Sequence, residues 1–257
     1  MSPRVLLLGS GIAYSASPAI QNAAFAAARL AITYQLCDIG PDDLARAVSA
    51  LRDPDAIGAN VTTPHKVAVL ELVDEIDSTA AKIGAANMIV RRENRLVAYN
   101  TDLSAISAEL SHLQLRPNGR SIVLGTGGAA RTVAVALEDA GRPDVHMVSR
   151  ADWANLGVLL STADLVVNAT PIGTTSDESP VPALMLRPGL TVLDLTYRPS
   201  PTRLVRNARA IGARARAGAG VLLRQAALSF ELWTDQPAPM SVMRDALLSE
   251  LGTGADV

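Results

Sequence analysis

The chain of 257 residues carries one cysteine, Cys37. A single thiol excludes an internal disulfide and offers no thiolate metal cluster. Histidine is scarce too: His65, His112 and His146 are far apart in sequence, and no metal-ligand set is read from them. Basic tracts are missing. Charged residues make up 19% of the chain and the formal net charge is −2, which leaves little electrostatic basis for a nucleic-acid or membrane-surface partner. The opening MSPRVLLLGSG has an apolar run too short to span a bilayer, and no small-residue cleavage site follows it. It reads as a buried first strand, and the protein as cytoplasmic. Apolar residues are plentiful at 49%, enough for two modest domains or one large one.

Short apolar runs alternate with helical stretches. Val5–Leu8, Thr33–Asp38 and Ala56–Val61 read as strands. Ser17–Leu30 reads as a helix, with Ser17 as cap and Pro18 at its first position. Asp42–Leu51 is a second helix, Lys66–Ile83 is expected to be largely helical, and Ala86–Arg91 with Leu96–Tyr99 form a hairpin around Glu93-Asn94. The pattern predicts a βαβα unit with an appended hairpin, a mostly parallel sheet covered by helices on both faces. After a helix at Thr101–Leu113 comes the turn Pro117-Asn118-Gly119. Strands at Ser121–Leu124, Val145–Val148, Leu165–Asn168 and Thr191–Leu195 then build a second unit, covered by helices at Gly128–Ala140 and Pro201–Ile211. The domain change is placed between Asp102 and Arg120. Two amphipathic helices, Val221–Trp233 and Ser241–Leu251, follow.

Two glycine-rich turns compete for a phosphate. Gly9-Ser10-Gly11 begins like a dinucleotide fingerprint, but Tyr14 stands at its sixth position, and a bulky side chain there blocks close helix–strand packing. Gly125-Thr126-Gly127-Gly128-Ala129-Ala130-Arg131 follows an apolar strand and opens a helix. In that frame the glycines let the backbone approach a pyrophosphate, and the helix N-terminus supplies N–H groups and a positive dipole. An ordinary tight strand–helix turn is the bland alternative. The next strand ends in Ser149-Arg150, where NAD enzymes usually carry an acidic residue. With no carboxylate expected there, and an arginine fork suited to a 2′-phosphate, the cofactor is read as NADP.

Polar clusters stand at strand ends in the first unit, where ligands bind in open α/β sheets. They are Ser15-Ala16-Ser17-Pro18, Asn60-Val61-Thr62-Thr63-Pro64-His65-Lys66, Asn87 within Gly84–Asn87, and Asn100-Thr101-Asp102. Each by itself is equally a turn or a helix cap. Their joint order resembles the shikimate dehydrogenase family through GSGIAYSASPAIQNAAF, GANVTTPHK, GAANMI, NTD, LGTGGAAR, VVNATPIG, DLTYRPSPT and AGAGVLLRQAALSFELWT, from the first strand to about Thr234. The resemblance implies reversible, NADP-dependent reduction of 3-dehydroshikimate to shikimate, a step of aromatic amino acid biosynthesis. It implies that Lys66 and Asp102 are the catalytic pair. Ser15 and Ser17 would hold the substrate carboxylate, helped by Tyr197, and Asn60, Thr62, Asn87 and Gln225 would contact ring hydroxyls or orient neighbours. Gly125 to Arg131, Ser149, Arg150 and the backbone near Leu195 and Gly218 would hold the cofactor. His65 is read as a structural or loop residue.

Departures from the family pattern fall at Tyr14, Met88, Leu103, Ala105, Ala217 and Val221, around the reacting groups rather than at them. Between Arg150 and the strand at Leu165 there is room for one helix, Ala151–Leu160, where the family commonly has helix, strand and helix. The expected fold is therefore α/β with two domains: a mostly parallel substrate domain (1–103 plus 221–257) and a trimmed Rossmann-like NADP domain (104–220). The C-terminal helices return to the first, because Gln225 must reach the substrate. No metal is expected, the partner is the small-molecule substrate, and the state is monomer or homodimer. Quinate or an aminoshikimate as substrate, and a non-catalytic sensor on the same fold, are the alternatives.

Overall fold

The computed structural model describes residues 3–255. Positions 1–2 and 256–257, assigned above to the substrate domain, lie outside the described residues. The chain divides into two compact units: Met1–Asp102 with Leu223–Glu250, and Leu103–Leu222 with Leu251–Val257.

The first unit is built from β1 (Arg4–Gly9), α1 (Ser17–Ala27), β2 (Thr33–Asp38), α2 (Leu44–Ser49), β3 (Ala56–Val61), β4 (Glu75–Ile76), α3 (Ser78–Ile83), β5 (Met88–Arg92) and β6 (Arg95–Tyr99). Its sheet runs β2-β1-β3-β5-β6-β4. β1 is parallel to β2 and β3, while β5 runs antiparallel to β3 and β6. Central strands buried on both faces need continuous apolar runs, and Val5, Leu7, Leu8, Ala59 and Val61 are buried. Leu8, Ala59 and Val61 share one core with Leu44, Val48, Leu51, Ile89 and Leu96.

Two local expectations are corrected. The stretch 66–83 is not a continuous helix. It holds a 3-10 turn (Ala68–Glu71), then β4 and α3. The Asp74 carboxylate accepts the Leu96 N–H and both Arg52 amino groups, at 2.7, 2.7 and 3.0 Å. Asp77 caps Thr79 N–H at 2.8 Å. Such side chain–backbone bonds give the chain an alternative to the helical ladder. Ser17 is not the cap of α1 either. Ala16 occupies that position without a side-chain cap, and the Ser17 N–H donates to Ser15 Oγ at 3.2 Å.

The second unit contains α4 (Asp102–His112, its first residue in the first unit), β7 (Ser121–Leu124), α5 (Gly128–Asp139), β8 (Val145–Val148), α6 (Leu156–Ser161), β9 (Leu165–Asn168), β10 (Thr191–Asp194), α7 (Arg203–Ala210) and β11 (Ala215–Ala217). All its strand pairs are parallel, in the order β11-β10-β9-β7-β8. Successive strand residues point to opposite faces: Ile122, Leu124, Val166 and Val192 join one core, Val123, Val167 and Leu193 the other. Against the six-strand dinucleotide-binding order, the place beyond β8 is vacant among the described residues. Between β8 and β9 lie only a 3-10 turn (Arg150–Asn155) and α6, so this is a Rossmann-like sheet short of one peripheral unit. β11 adds to the strands expected, since its Ala-Arg-Ala has no strand signal. The last helices are α8 (Ala219–Thr234) and α9 (Met240–Leu251), and from Leu223 to Glu250 they belong to the first unit.

At the carboxyl end of this second sheet, Asn168 and Asp194 tie two loops down. Asp194 accepts from Asn168 Nδ2 (2.9 Å), Thr196 N–H (3.0 Å), Thr196 Oγ1 (2.8 Å) and Thr202 Oγ1 (2.7 Å). Asn168 Oδ1 accepts from the Thr170 N–H and hydroxyl, at 3.0 and 2.6 Å. Burial pushes the Asp194 carboxyl above its ordinary value, against the lowering effect of the Thr202, Thr196 and Asn168 donors.

Two outcomes follow. A Cβ at Gly58 would run into the Ile89 carbonyl and stand 2.7 Å from Trp233 Nε1, whose N–H donates to that carbonyl at 3.1 Å. Gly58→Ala is expected to destabilise the protein by about 2–3 kcal/mol, read as a lower midpoint in urea. The raised Asp194 carboxyl sets a pH dependence. From about pH 4 upward the unfolded carboxyl ionises while the folded one keeps its proton, so stability falls with pH until the folded group has ionised too. Urea melts across that range should show wild type losing ground to Asp194→Asn as pH rises, and parallel curves would contradict it.

Candidate active site

In the first unit the carboxyl ends of β1 and β3 are neighbours, with Leu8 opposite Val61 and Ser10 N–H donating to Thr63 O at 3.0 Å. Ser15 and Ser17 follow β1, and Thr62, His65 and Lys66 follow β3. Glycine is required at position 9, where a Cβ would meet Thr62 Cγ2 at 2.5 Å.

Lys66 Nζ lies 2.5 Å from Asp102 Oδ2, with the two side chains 14% and 11% exposed. Each partner is fixed from behind. The Lys66 carbonyl accepts Ala86 N–H at 2.8 Å. Asn87 Nδ2 donates to Asp102 Oδ1 and to Thr101 Oγ1, both at 2.9 Å, while its Oδ1 accepts the Thr101 N–H at 2.7 Å. Gln225 Oε1, on α8, stands 3.5 Å from Asn87 Nδ2. Asp102 also opens α4, where the helix dipole favours negative charge.

Asn60 is committed to protein partners: its Nδ2 donates to Asn87 O (3.2 Å) and Ser229 Oγ (3.1 Å), and its Oδ1 accepts the Tyr34 hydroxyl at 2.8 Å. The fold thus gathers Lys66, Asp102, Asn87, Asn60 and Gln225 into one network. Tyr34 and Ser229 join it without having been foreseen. Tyr34 carries no motif signal, and Ser229, though inside the stretch AGAGVLLRQAALSFELWT, has nothing in the sequence that sets it apart from an ordinary helix serine. His65 is buried, with Nε2 2.9 Å from Ile39 O, a structural placement. Met88 is fully buried in β5, so that departure lies in the core rather than in a wall of the site. Tyr197 belongs to the second unit.

The two glycine turns differ in what occupies them. In the first, the Asp38 carboxylate takes the Gly11 and Ile12 N–H groups at 2.8 and 3.2 Å, so that nest is filled from within. In the second, Gly127 is the N-cap of the twelve-residue α5, with no side-chain cap and open space where a Cβ would stand. Its helix-start N–H groups suit a pyrophosphate. Gly125 has φ +112, and a Cβ there would meet Ala169 O at 3.1 Å. Leu195 and Gly218 are brought together as well: Gly218 N–H donates to Thr196 O at 3.0 Å, and a Cβ at Gly218 would strike the Leu195 carbonyl.

The expectation that no carboxylate stands near Ser149-Arg150 is corrected. The Ser149 hydroxyl and N–H both donate to Asp152 Oδ2, at 2.7 and 3.0 Å. Asp152 is folded back onto Ser149 by the 3-10 turn Arg150–Asn155, beyond the strand end where the acidic residue of NAD enzymes is looked for. Among the described residues there is no cluster of metal-ligating side chains, and no helix is long and apolar enough to cross a membrane.

Comparison with known proteins gives a consistent result. Residues 7–89 match the shikimate dehydrogenase substrate binding domain, and residues 218–248 the shikimate 5′-dehydrogenase C-terminal domain. The shikimate dehydrogenase (NADP(+)) of Moorella thermoacetica is 37% identical over 98% of this chain and 94% of its own. The shikimate 5-dehydrogenase of Thermus thermophilus, crystallised with NADP(H) and shikimate, is 33% identical, with a TM-score of 0.84 over 97% of this chain and all of its own. A quinate dehydrogenase from Corynebacterium glutamicum, in complex with NAD, is 28% identical, with a TM-score of 0.80 over 96% of this chain and 99% of its own. The chain belongs to the shikimate dehydrogenase family.

Proposed function

We propose that the protein is a cytoplasmic, NADP-dependent oxidoreductase that interconverts 3-dehydroshikimate and shikimate, with Lys66 and Asp102 managing the proton. The observation that carries this reading is the Lys66–Asp102 contact at 2.5 Å between two largely buried side chains, anchored by Asn87.

The dinucleotide, when bound, supplies the hydride for ketone reduction or accepts it in the reverse direction. The chain's own groups do the rest. As the ketone carbon gains hydride, its oxygen becomes an alkoxide and needs a proton. Lys66 Nζ, donating to that oxygen, polarises the carbonyl and then delivers the proton. Asp102 keeps the lysine oriented and accepts a hydrogen bond from a neighbouring ring hydroxyl. Ser15 and Ser17 hold the substrate carboxylate, and Thr62 and Gln225 meet ring hydroxyls. Asn60, whose amide is already satisfied, orients Asn87. The turn Gly125–Arg131 would cradle the pyrophosphate, Ser149 and Arg150 would meet the adenosine ribose, and the backbone near Leu195 and Gly218 would also hold the cofactor. A non-catalytic sensor would have no use for the proton-bearing pair.

Purified protein mixed with shikimate or quinate and NADP⁺ or NAD⁺, followed at the absorbance of reduced nicotinamide, tests the reading. Turnover with shikimate and NADP⁺ is expected. Turnover with quinate alone moves the substrate within the family, and none with any combination favours the sensor. Lys66→Ala should lower kcat by about 10²–10⁴ while leaving cofactor affinity near normal. Wild-type turnover in that variant would remove Lys66 from the mechanism.

A further inference from the structure

Asn60, the last residue but one of β3, is buried with its whole amide committed. Its two Nδ2 hydrogens go to Asn87 O at 3.2 Å and Ser229 Oγ at 3.1 Å, and its Oδ1 accepts the Tyr34 hydroxyl at 2.8 Å. Turned end for end, the amide would set oxygen against the Asn87 carbonyl, acceptor against acceptor. Asn60 therefore grips the backbone of the residue whose side chain holds Asp102 at 2.9 Å.

Two hydroxyls from other elements hold that amide. Tyr34 stands on β2, the edge strand, with β1 between it and β3. Asn22 of α1 anchors its backbone: Asn22 Oδ1 accepts Tyr34 N–H at 2.8 Å, and Nδ2 donates to Tyr34 O at 3.1 Å. A side-chain amide thus does for the open edge what a further strand would do. The Tyr34 ring is buried, its centroid 6.2 Å from that of Trp233. Ser229, fully buried on α8, accepts from Asn60 and stands 3.4 Å from Thr101 Oγ1. Thr101 meets the Asn87 side chain twice, at 2.7 and 2.9 Å. The hydroxyls so reach Asn87 through its carbonyl and through its side chain. Phenylalanine and alanine would fill the same space without dehydrating two polar groups. A fully bonded buried network instead specifies one arrangement.

We propose, resting on the role given above to Lys66 and Asp102, that Tyr34 and Ser229 are positioning residues for that pair. From the two ends of the Asn60 amide they fix it on the Asn87 carbonyl, and so hold Asn87 where it orients the Asp102 carboxylate. Displacing reacting groups by about 1 Å can lower a rate by about 10², so a smaller shift is enough to matter.

Tyr34→Phe and Ser229→Ala each delete one oxygen and keep the packing, on different elements. Each should lower kcat about tenfold, with KM for shikimate and the calorimetric Kd of NADP⁺ held within about twofold. The double variant should lose little more than either single, because both hydroxyls act through one amide. Wild-type kcat in either single variant overturns the proposal, whatever happens to its thermal midpoint, since the hydroxyl then serves the fold alone. A loss of about a hundredfold in the double variant, the product of independent effects, overturns the shared route. Absence of turnover in the wild type, with shikimate or quinate and either dinucleotide, overturns the proposal together with the oxidoreductase reading, and that result is distinct from the others.

Discussion

An ammonium and a carboxylate drawn most of the way out of water stabilise one another only when their remaining donors and acceptors are met as well. Asp102 meets that condition through Asn87, which spends its amide on Asp102 and Thr101, and Lys66 Nζ keeps its other donors for the substrate oxygen proposed above. Asn87 is placed in turn by strand geometry: its N–H donates to Tyr99 O and its carbonyl accepts from Val61 N–H, at 3.1 and 2.8 Å. The antiparallel hairpin β5–β6, laid against the last parallel strand β3, thereby sets the spacing between a residue after β3 and a residue after β6. The sheet's change of direction positions the ion pair.

Both units use the carboxyl ends of parallel strands, yet their first glycine turns have opposite fates. The turn after β1 turns its N–H groups toward Asp38, a residue of the neighbouring strand end. The turn after β7 leads into a long helix whose glycine N-cap brings no side chain of its own. An internal carboxylate converts an anion nest into a structural staple, and its absence leaves the nest available to a ligand. The asymmetry follows from which strand ends carry an acid.

Much of this was legible in the sequence. The strands at 56–61, 121–124 and 165–168 are apolar enough that their observed bounds equal the expected ones, because a strand buried on both faces tolerates little else. The Lys66–Asp102 pair came from the order of motifs, since no local pattern links residues so far apart. What stayed hidden depends on side chains bonding to backbone across a turn. Asp74 and Asp77 dismantle an expected helix, Ser15 rather than Ser17 meets the start of α1, and Asp152 folds back onto Ser149. Asp194 and Asn168 were hidden for the same reason. A short polar residue in a turn reads identically whether it caps, staples or waits for a ligand, and only the fold says which.

The shortened second sheet leaves β8 as its outermost strand, with His146 and Met147 exposed. An open strand edge is a template on which another chain can polymerise. Here the edge is only four residues long, and Asp144 and Arg150 bound it at its two ends. Losing a peripheral strand has thus exposed backbone that must stay soluble by brevity and flanking charge. Lengthening or neutralising this edge would be tolerated by the fold sooner than by the solution.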